Sequence, residues 1–184
     1  MGFAAGAWLT RANGLSLLRL LAAPGLVAAL CAGRAGVAAA LLVGIFASDF
    51  ADGWVARRYG EVSPLGGLLD HGSDALVAAT GLAALASLGV VPWPLPVLVA
   101  AAFLQYVFDS RALVGRSLRA SRLGRWNGIA YLVLLAVPVF RDALALGLPS
   151  DAWVFAAGWA LVTTSVASMF GRWRAWREAQ ASAS

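Results

Sequence analysis

The sequence predicts an all-α integral membrane protein with six transmembrane helices and a short N-terminal interfacial helix. Three observations carry this. Hydrophobic residues make up 61% of the chain and charged residues 12%, about half the charge of a soluble domain. Apolar stretches recur six times, each near the length that crosses the hydrocarbon core. The basic residues are 14 arginines without a lysine, and they gather at alternate ends of those stretches.

Residues 1–184 read as one domain, in three parts. Residues 1–13 form a lead-in, where Phe3–Thr10 with Trp8 lies along the interface. Arg11 ahead of an apolar run resembles a signal peptide, but Arg19 interrupts the run and five more apolar segments follow, so no cleavage is expected. Residues 14–173 form the bundle, with spans at Leu15–Ala32, Ala35–Arg57, Pro64–Leu88, Leu95–Val114, Asn127–Leu146 and Trp153–Arg172. Residues 174–184 form a cytoplasmic tail, frayed after Arg177.

Orientation follows from the arginines. With the N-terminus cytoplasmic, inside segments carry Arg11, Arg57, Arg58, the series Arg111 to Arg125, and Arg172, Arg174 and Arg177. Outside loops carry only Arg34 and Arg141. Positive charge collects on the cytoplasmic side, so both termini lie inside. The expected location is a bacterial inner membrane. The pI of about 10.6 therefore reflects topology, and no nucleic acid partner is expected. The single cysteine, Cys31, excludes an internal disulfide. Leu30 before it is too bulky for a lipid-attachment site.

Four of the nine acids fall in one run: Asp49-x-x-Asp52-Gly53-x-x-Ala56-Arg57, then Gly66-x-x-x-Asp70-x-x-x-Asp74. Gly60 marks a helix C-cap and Ser63-Pro64 a helix start, so spans two and three form an antiparallel pair. Asp49, Asp52, Gly53 and Ala56 share one face of span two; Gly66, Asp70 and Asp74 share one face of span three. At 1.5 Å per residue, Asp49 and Asp74 come to similar depth, about 15 Å from the turn. Four carboxylates cannot stay ionised together in a low dielectric without cations. Oxygen ligands favour hard ions, Mg²⁺ or Mn²⁺, and two of them could clamp a pyrophosphate. Gly53 and Ala56 leave room for a nucleotide base. The competing reading is buried acids neutralised by arginine, as in a cation transporter; it accounts for neither Gly53 nor the second half of the run.

The run resembles the motif of the CDP-alcohol phosphotransferase family, matching its eight fixed positions without a gap. Asn13, Leu15, Ser16 and Arg19 are similar to that family's N-terminal Asn-x-Leu-Thr-x-x-Arg, with serine for threonine. The resemblance implies transfer of a substituted phosphate from a CDP-linked lipid, usually CDP-diacylglycerol, to an alcohol with release of CMP. It implies that Asp49, Asp52, Asp70 and Asp74 hold two divalent ions, and that Asp74 also takes the alcohol's proton. It implies that Gly53, Ala56, Arg57 and Gly66 form the nucleotide site, and it makes a homodimer plausible.

The acceptor is left open. Arg111 and Arg116, with Asp109 to orient them, form a candidate pocket for a phosphorylated alcohol; membrane anchoring explains these arginines equally well. A polyol or polyol phosphate is the leading acceptor and an amino-alcohol the alternative, because Asp70-His71-Gly72-Ser73-Asp74 resembles the Asp-His-Gly-Cys-Asp of choline and ethanolamine phosphotransferases. His71 is expected to face about 100° away from Asp70 on an ideal helix, which favours a structural or interfacial role over a catalytic one.

Overall fold

A computed structural model describes residues 11–59, 64–109 and 122–181. Among them the fold is all-helical: α1 Arg11–Cys31, α2 Ala35–Tyr59, α3 Pro64–Ser87, α4 Pro94–Asp109, α5 Arg122–Ala143 and α6 Asp151–Ala181. The expected boundaries between α1 and α2, and between α2 and α3, hold within a few residues. The interfacial segment Phe3–Thr10 and the expected end of span four at Val114 lie outside the described residues.

Three expectations are corrected. Among the described residues α1 starts at Arg11 rather than Leu15, and α5 starts at Arg122 rather than Asn127. Hydropathy marks the part of a helix suited to hydrocarbon, whereas backbone hydrogen bonding continues into the interface. The tail is helical to Ala181 instead of frayed from Arg177. It is rich in good helix formers, and two contacts one turn apart support it: Arg174 Nη2 lies 3.7 Å from Glu178 Oε1, and the Arg177 guanidinium lies 5.0 Å from the Trp173 ring centre.

Three helices end in the same way. The N–H of Arg34 donates to Ala29 O at 2.9 Å, that of Val90 to Leu85 O at 2.9 Å, and that of Leu146 to Arg141 O at 2.9 Å. Each closes over a residue with positive φ: Gly33 at 65°, Gly89 at 77° and Ala145 at 51°. This capping motif requires a left-handed residue. The two glycines adopt it freely, while Ala145 is strained by its Cβ. Beyond Ala145, Arg141 ties the α5–α6 link, at 2.7 Å from both Asp142 and Asp151 and donating to Pro149 O at 2.8 Å.

Helix α1 packs on both α2 and α3, which meet chiefly through it rather than as the neighbouring pair expected; α4 lies against α3 and α6; α5 lies against α6, α2 and α3. Leu26, Leu42, Val77, Leu82, Leu95 and Leu135 are fully buried where these helices meet. Two glycines set the spacing. A Cβ on Gly81 of α3 would sit 2.8 Å from the Leu135 methyls of α5, and one on Gly158 of α6 would sit 2.5 Å from Pro92 Cδ. Outside this core, Leu17, Leu21, Phe50, Trp54, Phe108, Val133, Trp153 and Phe170 are exposed.

Two stability predictions follow from this packing. Ala145→Gly relieves the left-handed strain and should raise stability by about 1 kcal/mol. Gly158→Ala gains about 1 kcal/mol of helix propensity but drives a methyl into a rigid proline ring, which costs about 1–3 kcal/mol, so it should lower stability. Thermal unfolding in detergent micelles checks both signs.

Candidate active site

The chemistry-bearing side chains collect where α1, α2 and α3 meet. Helix α1 brings Arg19 about two turns from its start. Its side chain is fully buried, at 0% exposure. Apolar surroundings make an isolated guanidinium there costly, and acids from the two neighbouring helices surround it. Nη2 lies 3.3 Å from Asp49 Oδ1 of α2. Nη1 lies 3.1 Å from Asp70 Oδ1 and 2.5 Å from Asp74 Oδ1, both of α3. The Asp49, Asp70 and Asp74 side chains keep 48%, 33% and 28% of their exposure. The acids therefore lie between the buried arginine and the open side of the site.

Ser73 completes this arrangement. It is 1% exposed. Its Oγ accepts from Arg19 Nη1 at 3.0 Å and donates to Asp70 O at 2.8 Å. A hydroxyl can do both at once. The serine thus locks the arginine to the backbone of the helix that carries two of the acids.

His71 departs from the expected direction. Its Nδ1 lies 3.7 Å from Asp70 Oδ2. Adjacent Cα positions differ by 100°, yet the imidazole and the neighbouring carboxylate are both long enough to approach each other across that angle. Its ring lies 5.7 Å from that of Tyr106 on α4, and the Arg172 guanidinium of α6 lies 5.3 Å from the Tyr106 ring centre on α6's side. A second cluster, joining α3, α4 and α6, therefore adjoins the acids. Gly72 faces α4 at this point, where a Cβ would lie in ordinary contact with the Phe103 ring at 3.4 Å.

Of the expected site residues, Asp49, Asp70 and Asp74 come together, and Gly66 lies half-buried in the first turn of α3. Asp52, Gly53, Ala56 and Arg57 lie on α2, and Asp109 ends α4; their side chains lie outside the described residues, as do Arg111 and Arg116 entirely. Sequence reasoning missed Ser73, Tyr106 and the position of Arg172. It set Arg19 in a short N-terminal match without placing it among the acids. The signal for Arg19 was available: a lone arginine two turns inside an apolar helix requires a counter-charge at its own depth.

The residues fit a divalent ion. Donor atoms of Asp70, His71 and Asp74 all lie within 4.8 Å of one another. The donors are mainly carboxylate oxygens, which suit hard cations. Three carboxylates against one guanidinium also leave negative charge in excess.

A sequence model of the CDP-alcohol phosphatidyltransferase family matches residues 9–169. The chain is 40% identical over 86 residues to proteins of Mycobacterium bovis and Mycobacterium tuberculosis named "Putative cardiolipin synthase", covering 46% of this chain and 41% of theirs. It is 32% identical over 143 residues to a Mycobacterium tuberculosis protein named "Probable phosphatidylglycerophosphate synthase", covering 74% of this chain and 64% of that one. The matches thus span between two fifths and two thirds of those relatives. With the matched family model running through every helix that builds the acid cluster, the chain belongs to the CDP-alcohol phosphatidyltransferase family.

Proposed function

We propose that this protein transfers a phosphatidyl group from a CDP-linked lipid to an alcohol, releasing CMP, in phospholipid synthesis. The observation that carries the reading is the convergence of Asp49 of α2 and Asp70 and Asp74 of α3 on one point. Asp49, Asp52, Asp70 and Asp74 are the proposed ligands of two divalent ions, Mg²⁺ or Mn²⁺. When bound, such ions supply the positive charge that stabilises a leaving phosphate. Gly53, Ala56, Arg57 and Gly66 are the proposed nucleotide site. Asp74 is the proposed base: Arg19 engages its Oδ1, and the second oxygen takes the proton of the attacking hydroxyl.

The acceptor is proposed to be a polyol or polyol phosphate. The names of the relatives support this class, since both denote enzymes of polyol-headed lipids. Arg111 and Arg116 remain candidates to hold an acceptor phosphate, with Asp109 to orient them. An amino-alcohol acceptor is the second reading, supported by the Asp70-His71-Gly72-Ser73-Asp74 sequence.

We further propose that all six helices span the membrane, with both termini and the acid cluster cytoplasmic. Among the described residues, Arg122–Ala143 and Asp151–Ala175 combine the length and hydropathy of a span. Shorter apolar stretches lie at Leu17–Cys31, Ala35–Ala51 and Pro94–Phe108. The exposed apolar side chains on every helix support a lipid surround, because a protein in water rarely presents such a surface. A homodimer is consistent with the family resemblance.

The decisive assay is CMP release from CDP-diacylglycerol with a panel of acceptors: a free polyol, a polyol phosphate, a lipid-borne polyol and two amino-alcohols. EDTA should abolish release and Mn²⁺ should restore it; full turnover in metal-free buffer overturns the metal-dependent reading. Cation flux in proteoliposomes without CMP formation would instead favour a transporter. Asp74→Asn should reduce turnover about a hundred- to ten-thousand-fold, the usual worth of a general base, with CMP affinity less affected. Asp49→Asn should weaken metal-dependent CMP binding. Titrating CMP and measuring turnover at saturating Mn²⁺ separates the two roles, and near-wild-type turnover by Asp74→Asn shows that the base lies elsewhere.

A further inference from the structure

The acid cluster contains a cation of its own. We propose that Arg19 is a resident counter-ion that holds Asp49, Asp70 and Asp74 together before a divalent ion arrives, and releases carboxylate oxygens to that ion when it binds. The inference rests on the metal-dependent reading above. It goes beyond that reading in assigning Arg19 a competitive role that sets how tightly the metal is held.

Four features of the geometry support it. First, Arg19 Nη1 has three oxygen neighbours: Asp70 Oδ1 at 3.1 Å, Ser73 Oγ at 3.0 Å and Asp74 Oδ1 at 2.5 Å. The nitrogen carries two hydrogens, so at least one of these contacts is poorly directed and readily given up. Second, the guanidinium lies on the buried side and the acids keep 28–48% of their exposure. An incoming ion can reach the carboxylates from the open side without passing the arginine. Third, Ser73 Oγ is a neutral acceptor, which a hard cation takes less readily than a carboxylate. It keeps Arg19 partnered as Asp70 and Asp74 turn toward an ion. Fourth, Arg19 belongs to α1 while the acids belong to α2 and α3. The guanidinium is therefore a charged link between the first helix and the two helices bearing the acids.

The charges decide the direction of the effect. Among the described residues, three ionised carboxylates and one guanidinium sum to −2, and without the guanidinium the sum is −3; Asp52 would add the same charge to both. Arg19 thus holds the acids in place but weakens their attraction for a divalent ion. A positive charge a few ångströms away, in a partly exposed site of intermediate dielectric, changes ion affinity on the order of tenfold.

The experiment is a Mn²⁺ titration of the detergent-solubilised full chain without nucleotide, followed by electron paramagnetic resonance, with thermal unfolding measured with and without Mn²⁺. Arg19→Gln should bind Mn²⁺ on the order of tenfold more tightly than wild type. Its metal-free form should melt at a lower temperature, and Mn²⁺ should raise that temperature by more than it does for wild type. Arg19→Lys keeps the charge but loses the planar fork that reaches several carboxylates, so its Mn²⁺ affinity should fall between the two. If Arg19→Gln does not fold, the lysine variant carries the test alone, with tighter binding than wild type as the expected result. A residue that merely packed α1 against α2 and α3 would, on removal, disorder the acids and weaken Mn²⁺ binding. Wild-type Mn²⁺ binding together with equal or weaker binding in the variants overturns this inference alone. Failure of the wild type to bind Mn²⁺ overturns the metal-dependent reading and this inference with it.

Discussion

A carboxylate kept from bulk water needs positive charge nearby, and one end of this bundle is organised by that requirement. Asp49 lies on α2 and Asp70 and Asp74 on α3, and both helices pack on α1. Without a cation between them, the acids would repel one another and push α2 and α3 apart. Arg19 supplies that charge from a third helix, and Ser73 fixes the arginine to the α3 backbone. The position of α1 is thus decided twice: by apolar burial at Leu26 and by an ion-pair network at Arg19. Networks of this kind add little stability relative to an apolar core of the same shape, but they are costly to break by halves.

The described side chains of the acid cluster come from α1, α2 and α3, while α5 and α6 carry the longest apolar windows among the described residues. Arg19 and Asp49 lie inside the shorter apolar stretches Leu17–Cys31 and Ala35–Ala51. Gly81 lets α5 come close to α3, and Gly158 lets α6 come close to the link between α3 and α4.

Much of this was legible in the sequence because it is local. Turn residues and the rise of a helix place Asp49 opposite Asp74 by counting, and both reach the same guanidinium. The helix order, and most boundaries to within a few residues, follow from charges and caps. What was not legible depends on docking between elements distant in sequence. Arg19 lies 51 residues from Asp70 and 55 from Asp74, and no periodicity within α1 says which face meets α3. The possibility of acids neutralised by an arginine was weighed as an alternative to a metal site. The geometry places such an arginine within the cluster that also offers a set of metal donors. Tyr106 and Arg172 escaped for a similar reason, since each becomes meaningful only once α4 and α6 lie beside His71. His71 itself was misdirected by counting Cα positions without the reach of the ring.

The 51-residue separation between Arg19 and Asp70 also has a consequence for biogenesis. At about 5–20 residues per second, the ribosome makes Arg19 roughly 3–10 s before Asp70 exists. For that interval, in the proposed six-span topology, the guanidinium has no native partner on α3, and a charge placed at the centre of an inserting helix would cost about 2.5–3.5 kcal/mol on insertion scales. Arg19 lies only two turns from the start of α1, so it can reach the interface in the meantime. The first helix is then expected to settle shallowly and sink to its final depth when α2 and α3 arrive. On this view α1 enters first, and the polar cluster closes only once α3 has been made.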